Sequence, residues 1–104
     1  MRMVVFDLNG TLDTEKGLEY YKEQASRDDT IVGILTGNTI QSAEHFSEEY
    51  GIEPHFIRRG IFKAPRLNQI MIARVEDVIY VGNMITDEIA AKLAGWKFVS
   101  VSEL

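Results

Sequence analysis

Apolar residues fall along this chain in two alternating patterns. Short continuous runs rich in β-branched residues occur at Met3 to Phe6, Ile31 to Leu35, Val78 to Val81 and Phe98 to Val101, with a poorer one at His55 to Ile57. Runs of this length without a polar face are those of strands buried on both sides of a parallel sheet. Between them, apolar positions recur at helical spacing: Leu18, Tyr21 and Ala25; Ile40, Ala43, Phe46 and Tyr50; Leu67, Ile70 and Met71; Ile85, Ile89 and Leu93. These predict four amphipathic helices whose apolar rows face the sheet.

Start and stop signals agree with that reading. Asn38 and Gln41 are spaced as a capping box, Gly51 follows the second helix, Pro65 opens the third and Gly95 closes the fourth. Strict alternation of strand and helix with short connections predicts an α/β fold, a parallel sheet with helices on both faces, because each right-handed crossover lays its helix against the sheet. No linker, repeat or low-complexity stretch interrupts the pattern, so residues 1–104 read as a single domain.

Composition narrows the function. A net charge of -5 argues against a nucleic-acid partner, since only Arg58, Arg59, Lys63 and Arg66 cluster. Cysteine is absent, which removes disulfides, thiolate metal sites and a thiol nucleophile. The chain enters its first strand at once and meets Asp7, too early for a signal peptide, and no apolar run is long enough to span a bilayer. A cytoplasmic protein without membrane contact is expected.

In an open α/β sheet, ligands bind beyond the carboxyl ends of the strands, where the strand order reverses. The residues that follow the predicted strands are Asp7-Leu8-Asn9-Gly10-Thr11 after the first, Thr36-Gly37-Asn38 after the second and Gly82-Asn83 after the fourth, with Lys63 opening the third helix and Asp87 near the start of the fourth. A carboxylate nucleophile such as Asp7 splits one hard displacement into two easier ones. Asp7 and Asp87 together would repel each other and an incoming phosphate unless a divalent cation offset their charge, and Mg²⁺ prefers such oxygen ligands. Lys63 brings a compact positive charge, and the Thr36 hydroxyl with nearby backbone N–H groups can donate to phosphoryl oxygens.

The order DLNGT, TG, K, GNxxxD resembles the motif set of the haloacid dehalogenase (HAD) superfamily, in which Asp-x-Asp-Gly-Thr is followed by Thr or Ser, Lys and Gly-Asp-x-x-x-Asp. The likeness spans nearly the whole chain. It implies a three-layer core with strand order 5-4-1-2-3, the carboxylates of strands 1 and 4 converging on one Mg²⁺, and an aspartyl-phosphate formed on Asp7. By the same resemblance Asp7, Asn9, Thr36 and Lys63 hold the catalytic positions, Thr11, Gly37 and Asn38 border the substrate, and Asp7, Asn9 through its backbone carbonyl, Asn83 and Asp87 hold the metal. The intervals Asp7 to Ile31 and Ile57 to Lys63 leave no room for a lid, which implies a capless member with an open site.

Two departures bear on activity. Asn9 stands where the family's phosphatases keep the Asp that protonates the leaving group and then activates water, and an amide does neither at neutral pH, a loss of roughly 10² to 10⁴ in rate. Asn83 replaces a carboxylate ligand and removes one negative charge from the metal set. The expected function is therefore a slow Mg²⁺-dependent phosphohydrolase acting on a small phosphorylated substrate. The alternative is a catalytically inactive binding or assembly module on the same fold. A phosphoaspartate receiver domain ranks below both, because it would place its Asp after the third strand, where this chain has Arg58-Arg59. A homo-oligomer fits a small open core with exposed apolar residues.

Overall fold

Five strands, β1 (Arg2–Asp7), β2 (Thr30–Thr36), β3 (Phe56–Arg59), β4 (Asp77–Gly82) and β5 (Lys97–Ser100), pair in parallel in the order β3-β2-β1-β4-β5. Read from the other edge this is 5-4-1-2-3. The computed structural model describes residues 1–60, 63–70 and 75–104. Helices α1 (Glu15–Ala25), α2 (Ile40–Tyr50), α3 (Lys63–Ile70) and α4 (Ile85–Ala94) occupy the four intervals between strands.

Strand alternation divides the core into two layers. Val4, Phe6, Val32, Ile34, Ile79 and Val81 face α1 and α2, where Leu18, Tyr21, Ala43 and Phe46 meet them. Met3, Val5, Leu35 and Tyr80 face the other way, toward Leu67 of α3 and Ala91 and Ala94 of α4, with Trp96 at the rim. A fully buried side chain of this size contributes about 1.5–3 kcal/mol, which is why the strands carry unbroken apolar runs. The chain winds from β1 to β2 and β3 in one direction, then crosses to β4 and proceeds to β5 in the other. The reversal lies between β1 and β4, and their carboxyl ends form the crevice of the sheet.

Several local expectations need correction. The cap of α2 is Thr39, whose Oγ1 accepts from the Ser42 N–H at 3.1 Å, and not Asn38, whose Oδ1 accepts from the Thr39 N–H at 2.8 Å. Pro65 is the third residue of α3, still within the first turn, where its missing N–H costs nothing. Arg58 and Arg59 belong to β3 and do not follow it. In α1, Tyr21 is buried but Ala25 is exposed, and in α2 Ile40 and Tyr50 reach solvent. Met71, assigned to the third helix by its spacing, lies outside the described residues.

The largest correction concerns α4. Ile85, Ile89 and Leu93, expected to face the core, are exposed by 74%, 51% and 74%, while Asp87, Ala90, Ala91 and Ala94 are buried. The small face wins because alanines let the helix approach both the sheet and α3 closely, and because the Asp87 carboxylate has its partners on that side. No helix among the described residues is long and apolar enough to cross a membrane.

The rotated face of α4 is testable by paired substitutions. At low micromolar protein, Leu93→Ala should change unfolding free energy by no more than about 0.5 kcal/mol, as for an ordinary surface site. Ala91→Leu should destabilise by about 1–3 kcal/mol through overpacking. Urea denaturation of both variants decides the matter, and the reverse ranking would contradict the packing described.

Candidate active site

Asp7 is the last residue of β1 and lies in register with Leu35 of β2, which in turn pairs with Arg58 of β3. Its side chain is only 13% exposed, and Lys63 Nζ donates to Asp7 Oδ1 at 3.1 Å and to the Leu35 carbonyl at 3.2 Å. Lys63 opens α3, so the long crossover from β3 to β4 returns a cation to the end of β1 from 56 positions away in the sequence. Burial pushes the Asp7 carboxyl above the ordinary Asp range, Lys63 pulls it back, and the negative charge of Asp87 raises it further.

Asp87 enters from the first turn of α4 and is 5% exposed. Its Oδ2 accepts from the backbone N–H groups of Asn83 at 3.2 Å and Met84 at 3.3 Å, and its Oδ1 accepts from the Tyr80 hydroxyl at 3.4 Å. The carboxylate therefore caps the helix and faces the β4 end at once. The Tyr80 hydroxyl is held strongly in its neutral form by burial and by the charges of Asp7 and Asp87.

Two glycines make the approach of the loops feasible. A Cβ on Gly82 would stand 2.6 Å from the Asp87 Cβ, and one on Gly10 would stand 2.3 Å from Asn83 Nδ2. Gly10 also has φ 78°, a left-handed conformation that other residues resist, inside a wide turn over Leu8–Leu12 closed by the Asp13 N–H donating to the Leu8 carbonyl at 3.2 Å. Across that contact the buried Thr11 hydroxyl donates to Asn83 Oδ1 at 3.3 Å. The first and fourth motifs thus meet through Gly10, Thr11 and Asn83.

On the β2 side Thr36 is buried and its Oγ1 accepts from the Asn38 N–H at 3.0 Å, which leaves the hydroxyl proton available to a ligand. Gly37 and Asn38 are exposed in the loop that follows. Asn9 is also exposed and, among the described residues, its side chain has no hydrogen-bond partner. A cleft of about 170 Å³ opens beside Asn83 and Met84 toward Phe98 and Ser100 of β5.

The structure brings Asp7, Lys63, Thr11, Asn83 and Asp87 together at the β1 and β4 ends. Thr36, Gly37 and Asn38 stand one strand away, and Asn9 projects outward. Tyr80 lies outside the expected site residues; a lone hydroxyl within the apolar run Val78 to Val81, two residues before Gly82, is its only signal in the sequence. Asp13, also outside the expected site, accepts from the Gly10 N–H through its Oδ1 at 2.7 Å and fixes the turn, and the exposed Arg59 donates through its Nε to the Asn38 carbonyl at 3.1 Å.

The donor set suits a hard divalent cation in kind. Two carboxylates share the space with one lysine, the Asn83 side-chain oxygen stands by the Thr11 hydroxyl beside them, and the mutual repulsion of Asp7 and Asp87 is what a cation would relieve. Among the described residues no group of three or more His, Cys, Asp or Glu side chains gathers. No family model, no curated protein and no solved structure matches the chain.

The direction of the Asp7 shift fixes a stability prediction. A carboxyl whose folded pKa lies above its unfolded value costs stability once ionised, and that cost fades as pH falls and the folded form takes up the proton first. Asp7→Asn should therefore be neutral or stabilising at pH 7, with the gain shrinking on acidification through the Asp7 titration. Urea midpoints of both chains as a function of pH measure this, and a marked loss of stability at pH 7 would contradict the burial argument.

Proposed function

We propose that the chain is a phosphohydrolase of the haloacid dehalogenase type, in which Asp7 accepts a phosphoryl group from a small phosphorylated substrate. The observation that supports the reading is the half-buried Asp7 carboxylate held by Lys63 at 3.1 Å, beside the second carboxylate Asp87 at the strand-order reversal. Lys63 engages Oδ1 and leaves Oδ2 as the attacking atom. In the first step that oxygen bonds to phosphorus and the bond to the leaving-group oxygen breaks, its electron pair departing with that oxygen. In the second, water attacks the same phosphorus, the bond to Asp7 breaks, and a proton leaves the water.

Thr36 supplies a hydroxyl donor to a phosphoryl oxygen, and Lys63 offsets the charge that gathers there. Mg²⁺ held by Asp7, the residue 9 carbonyl, Asn83 and Asp87 would supply neutralisation of the phosphoryl oxygens. Asn9 neither protonates a leaving group nor takes a proton from water, so the substrates that suffer least are those whose leaving group departs unprotonated, acyl and aryl phosphates. The exposed position of Asn9 and the amide at Asn83 favour one rival, a non-catalytic binding or assembly module that retains the anion site.

The two steps are unequally damaged, so a phosphoenzyme should accumulate. Acid quench after incubation with acetyl phosphate and Mg²⁺ should recover phosphate on Asp7, and Asp7→Asn should abolish it. Asn9→Asp should raise turnover by about 10² or more, within the range of a positioned acid-base. Asn83→Asp should mainly tighten Mg²⁺ binding, read by calorimetry. If Asp7 never carries phosphate and neither change raises turnover, the binding module stands in place of the enzyme.

A further inference from the structure

The face of α4 opposite the sheet carries a single aliphatic row. Ile85, Ile89 and Leu93 follow one another at four-residue spacing and are exposed by 74%, 51% and 74%. Rows of this kind form one ridge on a helix surface and pack beside a like ridge. Contiguous apolar patches larger than a few hundred Å² are uncommon on soluble monomers, and exposed apolar rows rimmed by polar residues are where interaction surfaces form.

We propose that α4 is the interface of a homodimer, its aliphatic ridge packed antiparallel on the same ridge of a second copy, across a two-fold axis near Ile89. The charges beside the ridge support this occupant and this direction. Glu88 and Lys92 lie on one flank, one turn apart, and approach to 3.8 Å within the chain. A two-fold axis perpendicular to two antiparallel helices keeps that flank on its own side and reverses its polarity. Glu88 of one copy then stands beside Lys92 of the other, and the reciprocal pair forms by symmetry. In a parallel pairing the same flank would face Thr86, and the complementarity would be lost.

Other occupants fit less well. The ridge has one lysine beside it and the chain carries a net charge of -5, the opposite of an amphipathic helix drawn to anionic lipid. A standard interface buries about 800 Å² per partner, more than one helical ridge presents, so the dimer belongs with weak, concentration-dependent assemblies.

Sedimentation equilibrium of the full chain over a range of concentrations tests the proposal. The unchanged chain should pass from monomer to dimer within the range up to about 1 mM, where even weak specific association populates the complex. Ile89→Glu and Leu93→Glu should each weaken association by about 10-fold or more, as for central residues of an interface. Both side chains lie outside the core, so far-UV circular dichroism and the urea midpoint of the monomer should stay as they were.

The charge pair separates this arrangement from any other use of the ridge. Glu88→Lys and Lys92→Glu should each weaken self-association, and an equimolar mixture of the two variants should associate more strongly than either alone. A chain that stays monomeric at every concentration, a dimer untouched by Leu93→Glu, or a mixture no stronger than its components would overturn the proposal. So would tight binding of the ridge to phosphatidylcholine/phosphatidylglycerol vesicles that Leu93→Glu abolishes while leaving self-association unchanged.

Discussion

The arrangement depends on holding two carboxylates at the neighbouring ends of β1 and β4, where burial opposes their charge. Asp7 shows the tension directly, since burial and the charge of Asp87 raise its pKa while Lys63 lowers it. Asp87 is held in another way, by two backbone N–H groups and a tyrosine hydroxyl. One carboxylate thus leans on a side-chain point charge and the other largely on backbone dipoles. A fold that keeps such a pair stores electrostatic strain at a single place, which is the usual mark of a site and not of a scaffold.

The rest of the architecture serves that placement. The reversal of strand order puts β1 beside β4, and the return crossover from β3 brings Lys63 over the Leu35 carbonyl to Asp7. Asp87 determines how α4 starts, and Gly82 leaves the room its side chain needs. Once the helix is anchored by Asp87, its inward face is set by position, and Ala90, Ala91 and Ala94 fall on it. Ile85, Ile89 and Leu93 are then forced outward whatever their hydrophobicity. The exposed ridge is a consequence of the site's geometry, and the apolar residues found there serve something other than the core of this chain.

Much of this was legible in the sequence, and what was not has physical causes. Buried strands announce themselves through unbroken runs such as Met3 to Phe6, and the carboxyl ends of those runs gave Asp7, Thr36 and Asn83. The four-residue row of α4 pointed to the wrong face because periodicity reports that a helix has an apolar side without saying which side meets the sheet. Three alanines and an aspartate carry little hydrophobic signal, yet close approach and hydrogen bonding decided in their favour. Capping was read one residue early at Asn38 because Asn and Thr both suit the position and only the observed bond to Ser42 distinguishes them. The hydroxyl of Tyr80 was hidden by the apolar strand around it.

Asn9 and Asn83, which on the proposed reading stand in place of acidic residues, occupy unlike surroundings, and this separates their consequences. Asn9 is exposed, and among the described residues nothing holds its side chain, so a carboxylate at that position would have little effect on the fold and, on the proposed reading, would restore proton transfer. Asn83 lies against Gly10 and accepts the Thr11 hydroxyl, in contact with the turn that follows Asp7. A carboxylate there would add a third negative charge beside Asp7 and Asp87, with Lys63 as the near cation, and like charges at short range under partial burial destabilise one another. The amide keeps the hydrogen bond and omits the charge. On the proposed reading, folding of this domain would not depend on a bound cation, at the expense of affinity for one, and metal binding would report on the site and not on whether the chain is folded.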